Sequence, residues 1–510
     1  MEFRFQKIAT ATTLGALLAL PAFAAPVSPP PAPAQTPSDD ATQAAEEGTI
    51  HPFGRDDARL LKDITKASVL DIHGDTPAPA GPSAFDPSQA LALNQAVSLA
   101  FQNNNELLAA IEKYAGSQWE TKGAKWQYYP SLEVIADSGT ERSAPAAYND
   151  ANGNRVLDDT HHRDDLNITL HQPLIDLGIF ADIKVSKSKE AIALAEKMDV
   201  TDTVTVDTVN AYLGIVQSQI GVQLAEQYIG YLRKLEETMR IRVEGGGAAP
   251  ADLDRIRGRT MKAEAALIEA QGEYQTQAME FRRLTAVEPR QLQLPDALAP
   301  SIPASIREAT ERALQNNGNY QASLRKVELA DHERSKALAG LSPKLSLQYN
   351  DSYSYNAGGV AQGNPVDGLF PTQKTQSLML TLQWSIYGGN AISGGLVGAA
   401  KVREMNYRSL DTHARIEQAV RASYTAINAA RKRRDVLARN VEANARVADN
   451  FDAQFLTGAR SLFDLIDAHE QLYTSRVNLI RAIVIGAKSS FELRRLMGDI
   501  VPAVATLGSE

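Results

Sequence analysis

The 510-residue chain is predicted to be mainly α-helical with a membrane β-barrel, built from a duplicated unit of helix, strand, strand and long helix. Three observations carry this. From Ser377 to Trp384 large apolar residues stand at 378, 380, 382 and 384, the period of a strand with one apolar face, and after Tyr387-Gly388-Gly389-Asn390 a long helical pattern begins. The chain repeats itself: Leu93, Ala100, Gln102, Asn103 and Asn104 match Ile306, Ala313, Gln315, Asn316 and Asn317 at an offset of 213 (306 minus 93). Farther along, Leu170, Tyr212 and Arg282-Arg283-Leu284 match Leu382, Tyr424 and Arg494-Arg495-Leu496 at an offset of 212 (382 minus 170). Finally, no proline interrupts Gly178 to Glu244, a stretch that as a helix spans roughly 100 Å.

In chain order, residues 1–24 read as a signal peptide: Arg4 and Lys7, an apolar run from Leu14 to Leu20, and Ala22-Phe23-Ala24 as a small-x-small cleavage site. Residues 25–87 are rich in Pro and Ala and read as an extended leader unable to bury a core, with one short helix within Arg59 to Leu70. The first repeat is 88–299 and the second 300–498, with 499–510 as a C-terminal tail. In the first repeat a helix runs from about Pro87 to Gln127 and stops near Pro130, which cannot continue the ladder. Strands follow at about 130–138 and 165–174, and at about 343–353 and 376–386 in the second repeat. Each has the length a tilted membrane strand needs. The strands alone also fit a half-buried soluble sheet. The helices separate the two readings, because Val209, Leu213, Val216 and Ile220, like Ile416, Val420, Tyr424 and Ile427, form packing seams on helices several times the usual length. Four strands in lipid cannot close a barrel alone, so the chain is expected to assemble with copies of itself.

Composition narrows the function. The formal charge of −9 argues against a nucleic-acid binder. The absence of cysteine excludes disulfides, thiol nucleophiles, thiolate metal sites and a lipidated N-terminal cysteine. No phosphate loop, cofactor fingerprint or catalytic constellation is found, so no enzyme activity, cofactor or metal is expected. Asp150 to Asn154 has a trace of calcium-loop spacing but carries Arg155 where glycine is required. His161 and His162 are adjacent and point apart in an extended chain. Trp384 and Tyr387 suit either an interfacial aromatic girdle or core packing.

Taken together, the signal peptide, the duplicated strand pairs, Pro130 and Pro343 at the helix-to-strand switches, and the long helices resemble the TolC-like outer-membrane efflux proteins over about 89–498. The resemblance implies a homotrimer with one 12-stranded barrel in outer-membrane lipid and a helical tunnel across the periplasm. It also implies docking to an inner-membrane transporter through a periplasmic adaptor protein, and a passive exit duct for efflux or type I secretion. A periplasmic coiled-coil adaptor or structural protein without a pore is the alternative.

The most specific match is Phe455-Leu456-Thr457-Gly458-Ala459-Arg460-Ser461-Leu462-Phe463-Asp464-Leu465-Ile466-Asp467, which is similar to the family's periplasmic tip. Asp464 and Asp467 share one helix face, and in a trimer they would ring one axis with carboxylates, a periplasmic gate attractive to cations. Alternatively they only favour the positive end of their helix. Gly246 and Gly458 are the expected tip turns; Asp252, Arg460 and Phe455 are the gate contacts the resemblance implies. Two positions depart from the family pattern: Phe455 lacks a tyrosine's hydroxyl, and Arg255 stands where the repeat would place a counterpart of Asp467.

Overall fold

The computed structural model describes residues 49–65, 69–71, 90–288, 291–295, 297–362, 364–365, 370–386 and 388–507. The signal peptide, most of the leader and Tyr387 lie outside the described residues. In chain order the elements are β1 (Thr49–Ile50), α1 (Arg55–Thr65), β2 (Val69–Asp71), α2 (Leu93–Asn103), α3 (Asn105–Trp126), β3 (Ser131–Ser143), β4 (Tyr148–Asn149), β5 (Asp159–Ile175), α4 (Leu177–Glu244) and α5 (Pro250–Thr285). After β6 (Gln291–Gln293) and β7 (Ile302–Pro303), the plan recurs as α6 (Ile306–Asn316), α7 (Gly318–Ala339), β8 (Lys344–Tyr355), β9 (Asn364–Pro365), β10 (Thr372–Gln383), α8 (Gly389–Leu456) and α9 (Leu462–Leu496), followed by α10 (Ile500–Leu507).

The two long helices, α4 and α8, are each 68 residues and begin and end 212 positions apart (177 to 389, 244 to 456). Their predicted seams are buried: Val209, Leu213, Val216, Ile220 and Val420 are fully covered, and Ile416, Tyr424 and Ile427 nearly so. In the middle of each shaft a tyrosine hydroxyl donates into neighbouring backbone. Tyr212 reaches the carbonyls of Leu91 and Gln293, and Tyr424 those of Pro303 at 2.6 Å and Ser305 at 3.2 Å. A buried hydroxyl left unpaired would cost about 1–3 kcal/mol, so these bonds fix where the connecting segments cross the shafts.

The strands β3, β5, β8 and β10 form one antiparallel sheet in the order β10-β8-β5-β3. Register places Leu132, Leu170, Tyr349 and Leu378 in one row across it, and Glu133, Thr169, Asn350 and Ser377 in the adjacent row. Side chains alternate faces along a strand, so one face is apolar and the other polar. The apolar face is uncovered: Leu132, Val134, Leu378, Leu380 and Leu382 are all exposed. Trp384 is exposed beside them and donates its indole N–H to the Leu341 carbonyl at 3.1 Å. Among the described residues no helix is long and apolar enough to cross a membrane.

Several sequence expectations are corrected. The helix expected from about Pro87 to Gln127 is two helices, broken at Asn104, whose side chain accepts from the Leu107 N–H at 3.0 Å. Its twin Asn317 caps Tyr320 in the same way at 3.0 Å. An asparagine that bonds the next turn's backbone competes with helix continuation. The observed strands are longer than predicted at their loop ends, and β10 covers 372–383 rather than 376–386.

The leader is not wholly without a core. Residues 49–71 carry β1, paired with β7, then α1 and β2, paired with β6. The helix lies at 55–65, not within 59–70. Phe53 and Leu61 are fully buried, and Asp57 is buried against Arg434 at 2.6 Å. Finally, the described part of the tail forms α10, which packs inward through Ile500 and Val504.

Phe53 fits where α9 has no side chain: a Cβ on Gly486 would lie 1.9 Å from the Phe53 ring. Replacing Phe53 by Ala should weaken docking of the 49–71 segment by about 3–5 kcal/mol. Gly486→Val should do the same by overlap. Limited proteolysis is expected to cleave within 49–71 faster in both variants while the rest of the chain keeps its wild-type resistance.

Candidate functional site

Antiparallel helices α4 and α5 form one hairpin, and α8 and α9 a second. Their turns, at the end of the shafts remote from the sheet, are built alike. In the first, the Gly247 N–H donates to the Arg242 carbonyl at 2.8 Å and the Gly246 N–H to that of Val243 at 3.0 Å. In the second, Ala459 donates to Gln454 at 2.9 Å and Gly458 to Phe455 at 3.1 Å. This pair of bonds closes a helix through a left-handed residue, and Gly246 and Gly458 have φ of 73° and 76°. No atom lies within 4 Å of a Cβ built on either glycine, so backbone conformation rather than space selects glycine there.

Each returning helix starts with a carboxylate. Asp252 lies in the first turn of α5, after Pro250, and Asp464 in the first turn of α9, where Ser461 Oγ accepts from the Asp464 N–H at 3.2 Å. Asp464 is half-exposed, with Arg460 Nη1 3.8 Å away. At that length and exposure the pair contributes little, about 0–1 kcal/mol. Asp467, one turn on, accepts from Gln471 Nε2 at 3.0 Å. Two half-exposed carboxylates on one face of a helix start thus stand at the tip, with Phe463 and Leu456 exposed beside them.

The gate contacts implied by the resemblance each make different contacts within the chain. Arg460 folds back on its own hairpin: its Nε donates to Gln454 Oε1 at 2.9 Å and its guanidinium lies 4.4 Å from the Phe451 ring centroid. Among the described residues, Asp252 has no ion-pair partner in the chain, and the carboxylate that Arg460 approaches is Asp464. Phe455 is buried, with the Arg242 guanidinium 4.8 Å from its ring centroid. In place of a tyrosine hydroxyl's hydrogen bond, a cation–π contact from α4 holds this ring of α8. Arg255, the departure from the acidic pattern, faces the Phe463 ring at 5.6 Å.

Sequence reasoning missed the polar joint that ties the hairpins together a few turns above the tip. Tyr231 on α4 donates to Asp452 Oδ1 at 2.9 Å, His469 on α9 meets Asp452 Oδ2 at 3.0 Å, and the tyrosine and histidine rings stack with centroids 3.7 Å apart. Nearby, Tyr228 stacks on Tyr473 at 5.2 Å, and Arg259 and Lys262 of α5 both pair with Glu470 of α9. No spacing rule links 231, 452 and 469, and the opposite repeat carries Ala443, Arg240 and Arg257 at the equivalent positions.

Burial holds the His469 imidazole below its usual value, outweighing the upward pull of Asp452 and Asp449; Arg476 adds to the lowering. A histidine lowered in the folded state contributes stability that is complete above its unfolded value, about pH 6.5, and is lost as pH falls through the folded value. Thermal unfolding followed between about pH 8 and about pH 5 should therefore show a stability loss on the acid side of neutrality. His469→Gln should flatten that part of the profile.

Comparison with known proteins gives a consistent result. Residues 96–287 and 309–499 match the family model described as outer membrane efflux protein, one match per repeat. The chain is 22% identical over 77% of its length to the alkaline protease secretion protein AprF of Pseudomonas aeruginosa, covering 81% of that protein. It is 23% identical over 64% of its length to the proteases secretion protein PrtF of Dickeya chrysanthemi, covering 71% of it. Among solved structures, the Campylobacter jejuni CmeC outer membrane channel superposes with a TM-score of 0.67 at 16% identity, over 85% of this chain and 95% of that one.

Proposed function

The chain belongs to the outer membrane efflux protein family, and from that membership we propose the assembly in which it works. It is an outer-membrane exit duct that extends into the periplasm, in a family of transport channels rather than enzymes. In our reading three copies combine their four strands into a closed 12-stranded barrel in outer-membrane lipid. The long helices continue it as a tunnel through the periplasm. The observation that carries this reading is the uncovered apolar row Leu132, Leu170, Tyr349, Leu378 on a sheet whose outer strands, β3 and β10, are both free edges. A free edge in hydrocarbon leaves each unpaired backbone group costing several kcal/mol, so the sheet has to close on copies of itself. A periplasmic adaptor, the alternative reading, has no use for such a sheet.

For cargo, we favour protein export by a type I secretion system, because the two relatives above are named for protease secretion. An inner-membrane transporter supplies the energy and a periplasmic adaptor joins it to the tip. Deleting the gene and profiling both the secretome and drug susceptibility tests this: loss of one or a few secreted proteins at unchanged susceptibility is expected. Hypersensitivity to small toxic compounds with an intact secretome would instead assign the duct to efflux.

At the tip, Asp464 and Asp467 from each copy encircle the axis and narrow the mouth, a ring that repels itself and attracts cations. Replacing both by Ala should relieve divalent-cation block of the single-channel current in planar bilayers and alter its conductance. Unchanged block and conductance would remove the gate role and leave only a helix-end role for these residues.

A further inference from the structure

The duplication assigns a seam that one chain cannot form alone. Within the chain, the outgoing arm of the first repeat (β5, α4) packs along the incoming arm of the second (β8, α7). The equivalent junction joins the outgoing arm of the second repeat (β10, α8) to the incoming arm of the first (β3, α3). In the chain those arms lie at opposite edges of the sheet. Positions buried in the first junction are bare at their equivalents: Val185 is 7% exposed and Val397 is 70%, Ala195 is 6% and Tyr407 is 72%. The same surface is therefore used once within the chain and left open once.

Transposing the intrachain junction by the repeat offsets gives the open one its residues. Inside the chain the seam is ionic and polar: Asp182 pairs with Lys336 at 2.6 Å, Glu196 with Lys326 at 3.0 Å, and Ser188 Oγ hydrogen-bonds His332 Nδ1 at 2.8 Å. At the equivalent positions stand Gly394 and Gly123, Arg408 and Lys113, and Ala400 and Trp119. Both ion pairs and the serine–histidine bond are gone. Arg408 and Lys113 are each already paired in their own chain, with Glu404 at 2.7 Å and Glu196 at 2.7 Å. Trp119 is 60% exposed, a large apolar ring with the Lys122 ammonium 3.9 Å from its centroid.

We propose that Trp119 of one copy seats on Ala400 of α8 in the next copy, flanked by Val397 and Tyr407, so that the seam between copies is aromatic-on-small where the seam within a chain is ionic. The same transposition sets Leu382 of β10 opposite Ala136 of the neighbour's β3, continuing the pairing of Leu170 with Tyr349. The inference rests on the trimeric reading above and goes beyond it by naming which residues meet.

The chain has no cysteine, so introduced thiols are unique. The test is the double variant Trp119→Cys with Ala400→Cys, treated with a short bis-maleimide in detergent and run on a denaturing gel. Covalent dimers and trimers are expected from the double variant and from neither single one. The pair Ser188→Cys with His332→Cys serves as the control and should close within one chain, adding one linker's mass without a ladder. A ladder absent from the double variant, with the control closed and native mass still reporting an oligomer, overturns this seam and leaves the trimer standing. A native mass of one chain overturns the trimeric reading and the seam with it.

Discussion

Along β3 and β10 the backbone N–H and C=O groups that point away from the sheet have no partner among the described residues of the chain. In water that would be tolerable; on a sheet whose apolar face is bare it is not, because the medium that suits the leucines offers the amides nothing. Much of the architecture follows from this conflict. Each strand runs directly into or out of a helix, α3 into β3, β5 into α4, α7 into β8 and β10 into α8. Whatever closes the sheet therefore also sets the spacing of the shafts below it.

The two halves have kept some features and let others diverge, and the division is physical. Features that define where backbone goes are kept in both: the tyrosine hydroxyls of Tyr212 and Tyr424, the asparagine caps Asn104 and Asn317, and the left-handed glycines Gly246 and Gly458. Features that define what a surface meets have drifted apart. Arg255 stands opposite Asp467, and the Tyr231, Asp452 and His469 joint belongs to one arrangement of the hairpins only. A duplicated scaffold that presents different faces at equivalent places is what the proposed wall, with one junction inside each chain and one between copies, requires.

Much of the fold was readable from the sequence because its signals are local and long. An uninterrupted helix without proline, a period-two strand and a constant offset need no knowledge of tertiary contacts. The breaks were harder. Asn104 does not forbid a helix, and only its twin at 317 hinted at a repeated boundary. The segment 49–71 was hidden by averaging, since the proline-rich residues before it dominate the composition while Phe53, Ala58 and Leu61 supply a compact apolar face. At the tip, the resemblance to the family points to the glycine turns and the paired aspartates, but not to the inward course of Arg460 or the burial of Phe455 under Arg242. Those depend on which helices become neighbours, information that no single stretch contains.

The two offsets hold one more consequence. From β5 through α5 the halves are 212 positions apart (177 to 389), whereas from α2 through β3 they are 213 apart (131 to 344). The one-residue slip falls between β3 and β5, in the hairpin loops that carry β4 and β9. The shafts are isometric: an insertion in one would tilt its turn out of line with the other, and any lengthening has to arrive in matched pairs. The loops carry no such obligation, which makes them the place where foreign sequence can be spliced in without throwing the halves out of step.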